Sequence, residues 1–272
     1  MTSVEEKRIG YRLSPLEGDL ILCLREEPKV LAELRERIDA VGTSILHAIR
    51  TLEDEKLVSR DPTNHSYSLT SIGHAQAILF DQLIGTSDTL RSMEEFWLRH
   101  DISCIPDYLL SGIRNLKDAV VVRSSPSDLH AVHHKYLDVL KNSKRIHGAS
   151  AIFHPDFATC VAEILGSGAE VKLVVTKEVL DSIKKEVKLR DLAKYATRIL
   201  INRNLELTVH DGLRIGLTVT ESRLSFGLFT LDGVYDYNVD VMSTHPSALE
   251  WGERLFEHYR ANGKRIKLSS LL

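Results

Sequence analysis

SPLEGDLILCLREEPKVLAELRERIDAVGTSILHAIRTLEDEKLVSRDPTNHSYSL, residues 14–69, is the stretch that decides how this chain is built. Ser14 followed by Pro15 is a helix start, because a serine hydroxyl caps the first free N–H groups and proline lacks the N–H that the first turn cannot use. Behind it Leu16, Leu20, Cys23 and Leu24 recur at helical spacing. Pro28 ends that helix and opens a second, with Val30, Leu31, Leu34 and Ile38 on one face, stopping near Asp39. After the short link 39–42, capped by Gly42 or Thr43, Ile45, Ile49 and Leu52 mark a third amphipathic helix. Residues 57–60, the turn-rich 61–65 and the alternating 66–69 then read as a β-hairpin. Three helices with a tight link between the second and third, followed at once by a hairpin, is the order of a winged helix-turn-helix, assigned to residues 1–72.

Such a domain reads double-stranded DNA through the outer face of its third helix, which here offers Thr43, Ser44, His47, Arg50 and Thr51, none of them acidic. Arg50 is the first choice, since a guanidinium pairs bidentately with guanine. The hairpin adds Arg60, Asn64, His65 and Tyr67 as backbone or minor-groove contacts, and Arg35 and Arg37 suit phosphates. Charge argues for restraint: residues 1–75 carry ten Lys or Arg against thirteen Asp or Glu, and the whole chain has a formal charge of −3. Binding must therefore rest on a local patch and gain from a second copy. The same fold can also serve protein contacts alone.

Hydrophobic residues make up 43% and charged residues 27% of the 272 residues, which fits two ordinary globular domains. Apolar runs such as Val120-Val121-Val122 are strand-sized, far short of the roughly 20 residues of a membrane span. MTSVEEKRIG lacks the features of a secretory signal, so a cytoplasmic location is expected. Cys23, Cys104 and Cys160 form no CxxC, which fits a reducing compartment without disulfides. Of these only Cys104 is a candidate for an exposed, oxidant-sensing thiol.

Residues 73–102 read as a helical connector. Ala75, Leu79, Leu83, Thr86, Leu90, Met93 and Trp97 repeat at four-and-three spacing, with an interruption expected at Gly85-Thr86-Ser87. The stripe serves a homodimer interface or packs within its own chain. From 103 to 272 strands alternate with helices, predicting a mixed α/β domain. Strands are expected around 119–122, 145–149 and 170–176 with helices at 127–142, after Pro155, and on to about Asn202. Closely spaced strands at 205–210, 215–220 and 223–229 predict an antiparallel part, and a last helix runs from about Ser247 to Ala261.

No Walker loop, GxGxxG, GxSxG, HExxH or paired cysteines occur, which weighs against an enzyme, and no cofactor or metal is expected. His130, His133 and His134 stand at helical spacing, but no ligand from another element is identifiable, so they read as an exposed histidine-rich face. His133-His134-Lys135 spells the HxK pair of phospholipase D-like enzymes, inside a predicted helix and with Asp138 too near. A phosphodiester-processing enzyme is the alternative reading.

Beyond these residue-level readings, three segments carry a resemblance over nearly the full length: YSLTSIGHAQA at 67–77, FWLRHDISCIPDYLLSGI at 96–113, and SRLSFGLFTLDGVYDYNVDVMSTHPSALEWGERLFEHYR at 222–260. The chain resembles archaeal winged-helix transcriptional regulators of the methanogenesis-regulatory family. The resemblance implies an ArsR-like DNA-binding domain, a dimer, an archaeal source, and a C-terminal α/β sensory domain distantly similar to the phospholipase D fold without its active site. It names no effector. If a small molecule binds, strand ends and loops are the expected lining: Ser124, Ser125, Thr176, His210, Arg214, Asp232, Tyr235 and Tyr237, with Arg214 suited to an anion.

Overall fold

The computed structural model describes residues 13–141, 143–189 and 204–267. The chain divides into two compact units between Gly85 and Thr86.

The first unit begins with α1 (Pro15–Glu26). Ser14 and Glu17 cap its start reciprocally: the Ser14 N–H donates to Glu17 Oε2 at 2.7 Å and the Glu17 N–H to Ser14 Oγ at 3.3 Å. α2 (Leu31–Arg37) has Val30 at its cap, where no side chain can help, and Glu33 accepts from the Val30 N–H instead. α3 (Gly42–Asp54) ends with the Leu57 N–H donating to the Leu52 carbonyl at 2.8 Å and the Lys56 N–H to the Glu53 carbonyl at 2.9 Å. That pattern demands a left-handed residue, and Lys56 takes it at φ 61°. Strands β1 (Val58–Arg60) and β2 (Tyr67–Leu69) pair antiparallel, with Ser59 opposite Ser68.

Leu20, Ile21, Leu34, Ile45, Ile49 and Leu52 are all within 1% of complete burial and form this unit's core. Lys29 is buried too, its backbone bridged to Tyr67, while its Nζ reaches Glu27 at 2.9 Å. The start of α4 (Ser71–Ser92) lies so close to the hairpin that a Cβ on Gly73 would fall 1.9 Å from the Leu57 carbonyl oxygen. Only glycine fits there.

α4 runs unbroken through Gly85-Thr86-Ser87, where an interruption was expected. One glycine costs a helix only about 1 kcal/mol, too little to stop it. The break comes instead at Met93 (φ −123°, ψ 31°), before α5 (Glu94–Arg99). None of the helices described is long and apolar enough to cross a membrane.

In the second unit α6 (Asp107–Leu110) and a 3-10 turn (Ile113–Leu116) lead to an eight-stranded sheet. In chain order the elements are β3 (Val120–Arg123), α7 (Ala131–Lys141), β4 (Arg145–Ser150), α8 (Pro155–Gly166), β5 (Glu170–Val175) and α9 (Lys177–Leu189). There follow β6 (Leu205–Val209), β7 (Ile215–Thr220), β8 (Leu224–Leu228), β9 (Val239–Ser243), α10 (Pro246–Ala261) and β10 (Lys264–Ile266). The expected continuation of α9 to about residue 202 falls outside the described residues.

The strand order is β10-β6-β5-β4-β7-β8-β9-β3. β4, β5 and β6 are parallel, as helical crossovers require, and the other pairings are antiparallel. β3 does not join the parallel set that its βαβ-like spacing predicts. The β7-β8-β9 meander fills the place beside β4, and β3 pairs antiparallel with β9 at the edge. Helix α7 is also shorter than predicted, because residues 125–128 form a tight turn closed by mutual backbone bonds between Ser125 and Asp128.

Alternate residues of the sheet feed two cores. Val174, Leu217 and Val219 join Trp251, Leu255 and Phe256 of α10, and Ile146 and Val171 join Leu140, Cys160 and Ile164 of α7 and α8. Trp251 is fully buried and donates its indole N–H to the Leu109 carbonyl at 2.9 Å, tying α10 to α6.

Candidate functional site

In the first unit the burial of Ile45, Ala48, Ile49 and Leu52 orients α3 and leaves Thr43, Ser44, His47 and Arg50 exposed together. Thr51 is half-buried, its hydroxyl donating to the His47 carbonyl at 3.2 Å. Asp54 and Glu55 are exposed at the far end of this helix. At the hairpin tip Asp61 Oδ1 accepts from both the Thr63 N–H and hydroxyl, which holds its carboxyl below the usual range. Asn64 Oδ1 accepts from the Ser66 N–H, and His65 takes a left-handed φ of 60°, so the tip presents Asn64 and His65 outward.

Arg60 is exposed, its guanidinium carbon 5.7 Å from the Tyr67 ring centroid. Tyr67 differs from its companions: at 6% exposure it belongs to the core and braces the hairpin against Lys29, so it is not a surface contact. Among the described residues Arg50 and Arg60 have no carboxylate partner, whereas Arg37 pairs with Glu26 at 2.8 Å. Arg35 lies over Gly42, where its Nε would be 2.9 Å from an added Cβ.

The second unit holds a cavity of about 560 Å³ bounded by α7, the start of α8, β7 and the segment 235–240. On one side stand Tyr136, whose hydroxyl is 2.9 Å from Thr218 Oγ1, and Asp240, which accepts from the Ser225 hydroxyl. Burial pushes the Tyr136 phenol up to about 12 and the Asp240 carboxyl up to about 7. Asp240 Oδ1 is buried without a hydrogen-bond partner. The Tyr235 phenol fills a slot between two glycines paired across β7 and β8: a Cβ on Gly216 or Gly227 would lie 2.4 or 2.2 Å from its oxygen. Its pKa is raised by burial, with Asp240 adding to the shift.

Of the eight residues expected around an effector, Tyr235 and Tyr237 line this cavity. Ser124 donates its N–H to the carbonyl of Asn238, a lining residue, and Ser125 closes the turn before α7. Thr176 is buried and caps α9 by accepting from the Val179 N–H. His210 accepts from the Gly212 N–H, Arg214 packs on Phe229 at 5.4 Å, and Asp232 accepts from the Thr230 hydroxyl. These last four are not brought to the cavity.

What sequence reasoning missed is the partner set of His133. The histidine-rich face was expected to lack a ligand from another element, yet His154 and Asp156, at the start of α8, meet His133 there. His133 Nε2 is 3.5 Å from Asp156 Oδ2, and burial, then the neighbouring His154, hold its imidazole below the usual range. The signal available was HPD at 154–156, read only as a helix start through Pro155. His133-His134-Lys135 lies wholly within α7. Cys104 is no reactive thiol: burial first, then Asp101, raises it to about 12, away from thiolate character at neutral pH.

The chain thus combines a small helical unit carrying a hairpin with an α/β unit that encloses a cavity. It belongs to the methanogenesis regulatory protein FilR1 family, whose N-terminal domain model matches residues 10–88 and whose middle domain model matches residues 129–262. The methanogenesis regulatory protein FilR1 of Methanothrix harundinacea (strain 6Ac) is 30% identical over 258 residues, 94% of this chain. The chain spans 57% of that relative's length.

Among solved structures, TrmBL2, described as an archaeal chromatin protein with a novel mode of DNA binding, is 16% identical over 96% of this chain and 98% of its own, with a TM-score of 0.43. Nuc, a phospholipase D family member from Salmonella typhimurium, is 12% identical over 55% of this chain and 97% of its own, with a TM-score of 0.38. Both scores lie below 0.5, so the fold rests on its own strand order.

Proposed function

We propose that the chain is a DNA-binding transcriptional regulator whose first unit is a winged helix-turn-helix with α3 as the recognition helix. The observation that carries this reading is the division of α3 into a buried apolar face and an exposed face of Thr43, Ser44, His47 and Arg50 with no acid among them. Arg50, free of carboxylate partners among the described residues, is the base-reading or phosphate-holding group, and Arg60, Asn64 and His65 of the hairpin take the backbone.

So few cations on a chain of formal charge −3 give one copy modest affinity, and a homodimer doubles the contacts over paired half-sites. The second unit senses a small effector in the cavity beside Tyr235 and Tyr237, where the unpartnered Asp240 Oδ1 is free to hydrogen-bond it. Such an effector changes DNA affinity only if it favours one placement of the two wings.

Fluorescence anisotropy on the chain's own promoter and an unrelated duplex of equal length, titrated across salt, tests the reading. Selective binding that Arg50→Ala weakens by about 1–3 kcal/mol is the expected result. Equal, weak binding to both duplexes that vanishes at moderate salt removes it.

A further inference from the structure

We infer that His133, His154 and Asp156 form a site for one divalent transition metal ion of the zinc type at the edge of the second unit's cavity. The donors come from two elements, α7 and the start of α8, and their ligand atoms all lie within 4.8 Å of one another. Asp156 Oδ2 is 3.5 Å from His133 Nε2 and 3.7 Å from His154 Nδ1. Metal bonds of about 2.0–2.1 Å in a tetrahedron set ligand atoms roughly 3.4 Å apart. Two of the three edges are thus within a few tenths of an ångström of the bound spacing, and the third is left for an imidazole rotation to close.

The rings are already held. His133 stacks on Phe157 at 5.5 Å and 23°, and His154 lies 5.0 Å from the same ring. His154 Nδ1 accepts the Asp156 N–H at 3.2 Å, a long bond whose lone pair a metal takes over. Two imidazoles and one carboxylate suit zinc, cobalt or nickel, whereas magnesium and calcium need an oxygen shell that this set lacks.

A second, independent observation points to a ligand in the same cavity. Asp240 is 4% exposed and lines the cavity, and its Oδ1 has no partner. Three protein ligands leave a coordination position free, and His133, His154 and Asp156 all line the cavity, so that position opens toward it. A small molecule can then be anchored at one end by the metal and at another by a hydrogen bond to Asp240. The metal site stands whether or not the first unit binds DNA.

The test uses the full chain, freed of metal by chelation and dialysis, titrated calorimetrically with zinc and, separately, spectroscopically with cobalt(II). One equivalent bound per chain, with the visible bands of a four- or five-coordinate cobalt centre, is expected. His133→Ala and Asp156→Asn should each weaken zinc binding at least tenfold, while His130→Ala and His134→Ala leave it within twofold. Asp156→Asn changes an exposed side chain, so it keeps the test decisive if His133→Ala fails to fold. Zinc binding that survives Asp156→Asn, falls equally with His130→Ala, or does not occur at all overturns the inference.

Discussion

Asp240 carries a carboxyl group in the one setting that makes ionisation expensive. It is buried, accepts from the Ser225 hydroxyl through one oxygen, and its Oδ1 has no hydrogen-bond partner. Its folded pKa of about 7 lies above its ordinary value of 3.8, so between these pH values the folded chain keeps a proton that the unfolded chain has lost. The associated stability is full below about pH 4 and is lost as pH rises through about 7. Asp240→Asn removes the titration, and its thermal stability relative to the parent should rise from pH 5 to pH 8, by about 1–4 kcal/mol at the upper end. A constant difference across that range would show that Asp240 ionises normally.

Residues whose role is local were legible in the sequence, and residues whose role is spatial were not. Ser14 and Pro15 act within one helical turn, so their order alone announces the cap, and the structure adds Glu17 as its reciprocal partner. Tyr67 sits in a strand that alternates, but which face meets the core depends on the Lys29 bridge, which spacing does not reveal.

At the scale of elements, α4 presents Ile72 (61% exposed), Leu79 (68%) and Leu83 (46%) along one helix, more apolar surface than a solvated helix ordinarily carries. Leu79 and Leu83 belong to the four-and-three stripe read from sequence, Ile72 lies just before it, and a second copy of α4 would bury them. Leu79→Glu combined with Leu83→Glu should convert a dimer to a monomer in sedimentation velocity while leaving the circular dichroism spectrum intact. A parent chain that sediments as a monomer, or a dimer that ignores both charges, removes α4 from the interface.

The elements were largely readable, since periodicity belongs to each segment. Their order in the sheet was less so. β9 and β10 went unread because VDVMS and KRI are short and flanked by turns or a helix. The meeting of α7 with HPD at 154–156 depends on where β4 sets the start of α8, a relation no single segment contains.

For the whole molecule, the first unit draws its core from its own helices and hairpin. A fragment of residues 1–92 should therefore give dispersed amide resonances and a cooperative thermal transition. A spectrum typical of an unfolded chain would mean that its stability is borrowed.

The second unit has the opposite character. β3 opens its sheet in chain order, yet its sheet neighbour is β9, more than a hundred residues later, and α10 supplies Trp251, Leu255 and Phe256 to the core. During synthesis at roughly 5–20 residues per second, the stretch from β3 to α10 takes on the order of 7–30 s to emerge. Over that interval Val120-Val121-Val122 waits without its sheet partner while the first unit is free to fold. The order of synthesis thus leaves the edge strand of the second unit as an early-made surface that only a late-made part of the sheet can cover.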